Sequence, residues 1–363
     1  MPTTPLYDTV IRKLRQLRPQ ERITRLKNLA WLMTGIFLSK SVHLSKIAAK
    51  IPARAVLLSV VQRLHRFLDN PFFHVRSWYE PVIGQLLKDV GQTVGEIRLV
   101  MDATKCGPHH QWLTVSVAFR RRTIPVAWTW LAGSRGHSSA NVQLALLRYV
   151  HTLTPPATPV SLVADTEFED GDVQKQLNDW KWFYVLRQKP SNLVYVNGTW
   201  RSFRSLIEKP GQSVWMEAIL LTRKHKLTAN LLAEWKPGEE HPWLLATNLP
   251  TSTLTRTTYK RRMWIEEMHG DLKAHGFYLE DSHLQSFLRL SRLAFAVVLL
   301  YLWIVLEGAT IIKIGERHLV DRRERRDLSV FQIGLRWIER RLALTLPLSF
   351  SSFSPSAIKL SGG

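Results

Sequence analysis

Residues 259–273, YKRRMWIEEMHGDLK, are the stretch whose reading decides the fold. Met263, Trp264, Ile265, Met268 and Leu272 give the apolar spacing of a helix, and only Gly270 argues against one. At about 100° per residue, Tyr259, Arg262, Glu266 and Lys273 fall within an arc of about 60° along about 21 Å of helix. One face thus carries a phenol, a guanidinium, a carboxylate and an ammonium in line. A solvated face with ordinary ion pairs explains such a row on most helices. Two carboxylates elsewhere in the chain weigh against that account here.

Upstream, two short apolar runs each end at an aspartate. Residues 97–101 (IRLVM) lead to Asp102, and residues 160–164 (VSLVA) lead to Asp165. Their β-branched content predicts buried strands with a carboxylate at each end. Residues 112–120 and 123–130 predict antiparallel strands after the first, residues 141–153 a helix stopped by Pro155 and Pro156, residues 173–180 a helix, and residues 182–187 a further strand. The order β-β-β-α-β-α-β predicts an α/β fold around a mixed sheet with helices on both faces.

Residues 191–242 depart from that rhythm. A hairpin with an Asn197-Gly198 turn and two more strands predict a β-rich insertion, and Arg201, Arg204, Arg223 and Lys224 give it a basic surface. Residues 243–247 then lead back to the opening helix. Residues 1–90 read as helical, and the segment SVVQRLHRFLD (59–69), with Arg63 and Arg66, is the second helix of a pair that could enter a DNA major groove. The boundaries expected are 1–90 for a helical DNA-binding region, 91–190 and 243–312 for the two parts of a catalytic core, 191–242 for the insertion, and 313–363 for a basic C-terminal region serving dimerisation or DNA contact.

Composition narrows the partner. Fifty Lys and Arg against 29 Asp and Glu give a net charge of +21, spread along the whole chain. A polyanion is the natural partner, and 14 Trp and 8 Tyr available for stacking put nucleic acid ahead of a membrane surface. Cys106 is the only cysteine, which excludes an intrachain disulfide and fits an intracellular setting. The uncharged run 293–306 would make about 21 Å of helix against a hydrocarbon core of about 30 Å, so a buried helix is expected there and no membrane partner.

Three carboxylates, two after strands and one on a helix, are the donor set of a two-metal phosphoryl-transfer site. Hard ions such as Mg²⁺ or Mn²⁺ take oxygen ligands, and a pair of them stabilises the attacking and leaving oxygens together. Asp102, Asp165 and Glu266 are the candidates. Other readings fit less well. A tyrosine recombinase built on Tyr259 needs no acidic trio. A calcium loop at 165–176 has glycine at its seventh place and Gln176 where a bidentate glutamate belongs. Cys106, His109 and His110 lack a second cysteine for zinc, and Glu266-x-x-His269 is only half of a di-iron motif.

Tyr259-x2-Arg262-x3-Glu266-x6-Lys273 resembles the Tyr-Arg-Glu-Lys signature of the DDE transposases of bacterial insertion sequences, in the group named after insertion sequence four. LVMDAT (99–104), RRRTIPVAW (120–128), LVADTEF (162–168), YVLRQK (184–189) and HPWLLATN (241–248) are similar to family segments, as is RFLDNP (66–71) near the end of the N-terminal region. The resemblance implies a ribonuclease-H-like core with its insertion between Asp165 and Glu266. It implies a transposase that frees a 3′-hydroxyl at a transposon end and joins it to target DNA. Asp102, Asp165 and Glu266 would bind two such ions, while Tyr259, Arg262 and Lys273 would grip phosphates near the scissile bond. Trp243 is the nearest match to the tryptophan that stacks on a flipped base in hairpin-forming members. A homodimer on terminal inverted repeats, in a bacterial cytoplasm and on the nucleoid when DNA-bound, completes the implied picture.

Overall fold

The computed structural model describes residues 3–133 and 138–348; the last part of the basic C-terminal region expected at 313–363 lies outside them. The chain opens with α1 (Thr3–Leu17), α2 (Ile23–Ser39), α3 (Leu44–Ala48), α4 (Leu57–Leu68) and α5 (Val75–Val94). Then come β1 (Ile97–Cys106), β2 (His110–Phe119), β3 (Arg122–Ala132), α6 (Ala140–Leu153), β4 (Val160–Ala164), α7 (Gly171–Asp179) and β5 (Phe183–Arg187). The strands β6 (Leu193–Val196), β7 (Thr199–Ser202), β8 (Ser213–Leu221), β9 (Leu227–Glu234) and β10 (Trp243–Thr247) follow, before α8 (Ser252–Tyr259), α9 (Met263–Leu272), α10 (Phe287–Lys313) and α11 (Val330–Ala343).

The ten strands among the described residues form one sheet in the order β3-β2-β1-β4-β5-β10-β9-β8-β6-β7. β1, β4 and β5 are parallel, while β2 and β3 fold back antiparallel. Every residue of β4 is buried, which suits a strand covered on both faces. The 3-2-1-4-5 half is the ribonuclease-H-like, mixed α/β core expected. The insertion strands are present, but they do not make a sheet of their own. β10 pairs with both β5 and β9, so they extend the core sheet and bury a separate cluster of Val194, Phe203, Leu221, Leu231 and Leu244.

β1 is longer than expected. Asp102 lies within it, because the ladder to β2 continues as far as Cys106 opposite His110. The pairing to β4 stops earlier, at Met101 opposite Ala164, so Asp102 is the first β1 residue beyond β4. The opening stretch also differs from one continuous helix. α8 ends at Tyr259, a 3-10 turn occupies Lys260–Arg262, and α9 runs through Gly270 without a break.

α10 is the centre of the core. It is the one helix among the described residues long and apolar enough to cross a membrane by length and composition, and 89% of its most apolar window is buried inside the fold. The N-terminal helices lean on its start. Arg292 donates to the carbonyls of Phe73 and Leu68, and Arg289 pairs with Asp69. The RFLDNP segment is therefore an anchor to α10. Of the two arginines singled out on α4, Arg66 is exposed, while Arg63 is half-buried with Nε and Nη2 shielded and unbonded.

α11 packs along α10, so residues 330–343 belong to the core. The contact is made by glycines: a Cβ at Gly334 would stand 1.9 Å from the Ile304 carbonyl oxygen, and one at Gly308 2.0 Å from that of Val330. Backbone cannot yield as a flexible side chain can. Gly334→Ala is expected to destabilise the fold by about 1–3 kcal/mol, read as a lower urea midpoint at unchanged slope.

Candidate active site

The parallel register fixes the first two acids. With Met101 opposite Ala164 as the last pair, the next residue on each strand is an aspartate, Asp102 and Asp165. Asp165 caps the short turn after β4 and accepts a hydrogen bond from Thr166 N at 2.8 Å. Glu266, on the exposed side of α9, reaches the same place from across the sheet end.

Arg262 joins them. Its Nη1 lies 3.2 Å from Asp165 Oδ2 and its Nη2 2.7 Å from Glu266 Oε1. Arg187, at the end of β5, stands 3.7 Å from Asp165 Oδ1. Burial pushes the Asp102 carboxyl up to about 7; Arg262 and the Ala103 amide pull it down, and the charges of Asp165 and Glu266 push it further up. The Arg262 bridge and the β1–β4 register put the three carboxylates in one region of the sheet. They are not drawn to a single point: among the described residues, the group of potential ligand atoms lying within 4.8 Å of one another is Asp170, Asp172 and His225, beside the β8–β9 turn. Like charges repel, and here a guanidinium holds two of the three.

The other predicted residues are placed as follows. Tyr259 is buried, with its ring in a cluster of Val163, Val185, Leu232, Leu245 and Leu249. Its hydroxyl makes no hydrogen bond of ordinary geometry, although Arg187 lies beside it, and burial raises it to about 12. Trp243 is half-buried, edge-to-face with Tyr259 at 5.0 Å, and the Lys236 ammonium sits 3.8 Å from its ring centre. Lys273 turns toward β1, donating to Thr104 Oγ1 at 2.8 Å and to the Lys105 carbonyl at 2.5 Å. It clamps the end of α9 to the strand that bears Asp102. Arg63 and Arg66 lie in the N-terminal helices, outside the contacts of the acid cluster.

Two neighbours went unassigned in the sequence. His269, one turn after Glu266, is buried and places Nδ1 3.7 Å from Asp102 Oδ2. Burial pulls its imidazole down to about 3, with Lys273 adding to the fall, so the contact is no ion pair. The Glu266-x-x-His269 spacing was visible in the sequence, where it reads as half of a di-iron motif and not as a neighbour of Asp102. Arg187 was within reach too, inside YVLRQK. Cys106 gives its thiol to the Leu279 carbonyl, and burial raises it to about 12.

Oxygen donors suit hard divalent ions. Asp102 is held well above the usual carboxylate range by desolvation that Arg262 does not fully offset. A cation beside Asp102 would relieve that cost, so the three acids fit such ions on their own chemistry.

A ribonuclease-H-like core with one acid in β1 just beyond its pairing with β4, a second directly after β4 and a third on a following helix defines the class: an enzyme core of the DDE type. The profile described as Transposase DDE domain matches residues 96–303, more than half of the chain, and the chain belongs to that family. A cryo-EM structure of a piggyBac transposase synaptic complex with hairpin DNA is similar at 11% identity and a TM-score of 0.42, over 98% of this chain and 83% of that one. No curated protein matches.

Proposed function

We propose that the protein is a DNA transposase of the insertion-sequence-four group, cutting at transposon ends and joining the freed 3′-hydroxyl to target DNA. The observation that carries this reading is the pairing of Asp165 and Glu266 with Arg262, next to the β1 position of Asp102, on a DDE-family core. Asp102, Asp165 and Glu266 would hold Mg²⁺ or Mn²⁺, and two such ions, when bound, activate the attacking oxygen and stabilise the leaving one. The protein's own side chains supply the rest. Arg262, released from Asp165 and Glu266, is a planar fork for a phosphate beside them. Lys273 keeps α9 and β1 in fixed relation, and neutral His269 fills the space behind Asp102 without adding charge. Tyr259 supports the site from beneath rather than from the DNA side. A base stacked on Trp243 would have to displace Lys236 or use the rest of the ring, so a hairpin intermediate needs local movement there. A homodimer working on terminal inverted repeats in a bacterial cytoplasm completes the reading.

End-labelled transposon-end duplexes with Mg²⁺ and a target plasmid test it. Joined products are expected. Cuts without joining would mark a structure-selective nuclease, and mobility shifts without cuts a regulator that has lost its chemistry; either result overturns the transposase reading.

A further inference from the structure

The two-residue turn between β2 and β3 is occupied by Arg120 and Arg121, with Phe119 paired to Arg122 across it. Both have positive φ, 47° and 60°. Tight hairpin turns with two left-handed residues favour Asn-Gly, since a side chain with a Cβ is strained there. Two arginines are a poor choice for folding, and strain of this kind is retained where the side chains have a use.

Their surroundings point to that use. The turn borders a cleft of about 690 Å³ lined by Arg98, Arg120, Arg121, Arg122, Arg317 and Arg326, against which stand only Glu96 and Asp327. The acids are spent locally: Glu96 pairs with Arg98 at 2.8 Å, and Asp327 with Arg325 at 2.9 Å. Arg122 is tied to Asp271 and Arg317 to Asp321. Among the described residues, Arg120, Arg121 and Arg326 make no ion pair, so three guanidinium groups face one cleft without a counter-charge. Arg261 adds to the field, because Arg98 is among the charges that act on it.

Trp264 also lines the cleft, two residues before Glu266 and so on nearly the opposite side of α9. The cleft and the acid site are therefore separated by one helix, about 10 Å across. That is too far for the scissile phosphate to occupy both. It is near enough for one duplex, or two meeting at the site, to touch both.

We propose that the arginine cleft at the β2–β3 turn is a second DNA contact, gripping the phosphodiester backbone of duplex beyond the scissile position. It rests on the transposase reading and adds a place where DNA is held that the acid site does not supply. Guanidinium groups suit this task, since each can donate a fork of hydrogen bonds to phosphate oxygens.

The test is equilibrium binding of the full chain to a mixed-sequence double-stranded oligonucleotide across a salt series. Arg120→Asn with Arg121→Gly installs the favoured turn, so thermal stability should hold or rise while binding weakens. The slope of log affinity against log salt should become shallower by about 1.8, two phosphates at about 0.9 each. Arg326→Ala, at an exposed residue without a partner, should remove about 0.9 with no effect on folding. Unchanged slopes in both variants overturn the cleft while leaving the transposase reading intact. Failure of the unaltered protein to bind the duplex at all sinks both. To separate the two sources of backbone, the turn variant is then assayed for cutting and joining: a loss confined to joining assigns the cleft to target DNA, and a loss of both to the transposon end.

Discussion

Glu266→Gln should abolish cutting and joining while leaving end binding in place. The substitution keeps the size of the side chain and removes its charge, so the ion ligand is lost without a gap. Metal stabilisation of an in-line displacement is worth several kcal/mol, and about 4 kcal/mol corresponds to a loss of about 10³-fold in rate. The fold has little to lose. Glu266 is exposed, and its pair with Arg262 is the kind of partly solvated contact that contributes at most about 1 kcal/mol. Arg262 also keeps its second partner, Asp165, at 3.2 Å. Single-turnover cutting of a labelled end, beside a gel-shift titration of the same duplex, separates the two effects. Mg²⁺-dependent nicking by the variant at the parent rate would remove Glu266 from the chemistry.

That site was legible in the sequence because its parts are local signals. β4 and β10 have the bounds their apolar runs predict, and Asp165 follows β4 directly. The row on residues 259–273 put Arg262 and Glu266 together, and they are bonded. Tyr259 and Lys273 fit the same row less well, because the 3-10 turn at Lys260–Arg262 rotates Tyr259 inward and Lys273 closes α9 in a non-helical conformation. Periodicity describes an ideal helix and is blind to such a turn. Long-range pairing was also invisible. Nothing local to β1 says that β2 would carry it past Asp102, or that β9 would join β10 and make the insertion an extension of the sheet. The C-terminal charges concealed a core helix: α11 leaves Arg336 and Arg340 exposed and buries Phe331, Ile333, Leu335 and Ile338.

The same helix that carries Glu266 is held from behind by an ion pair, and breaking it should give the largest loss of stability. Arg122 Nε lies 2.7 Å from Asp271 Oδ2, with side-chain exposures of 12% and 2%, and Nη1 reaches Glu267 at 3.0 Å. Arg122→Met leaves the Asp271 carboxylate buried without its partner, at a cost of about 3–5 kcal/mol. Burial already raises Asp271 to about 6 against the pull of Arg122 and His275, with Glu267 adding to the rise. Without Arg122 the carboxyl rises further. An acid whose folded pKa exceeds its unfolded value loses stability as pH climbs between the two, since the unfolded chain gives up its proton first. The deficit of Arg122→Met should therefore be small near pH 4, grow through pH 6 and level off above the new folded pKa, as read by urea midpoints at each pH. Adding Asp271→Asn removes the stranded charge, and the double variant should recover stability relative to Arg122→Met alone. Equal losses in single and double variants, with no dependence on pH, would mean that Arg122 acts through its packing and not through Asp271.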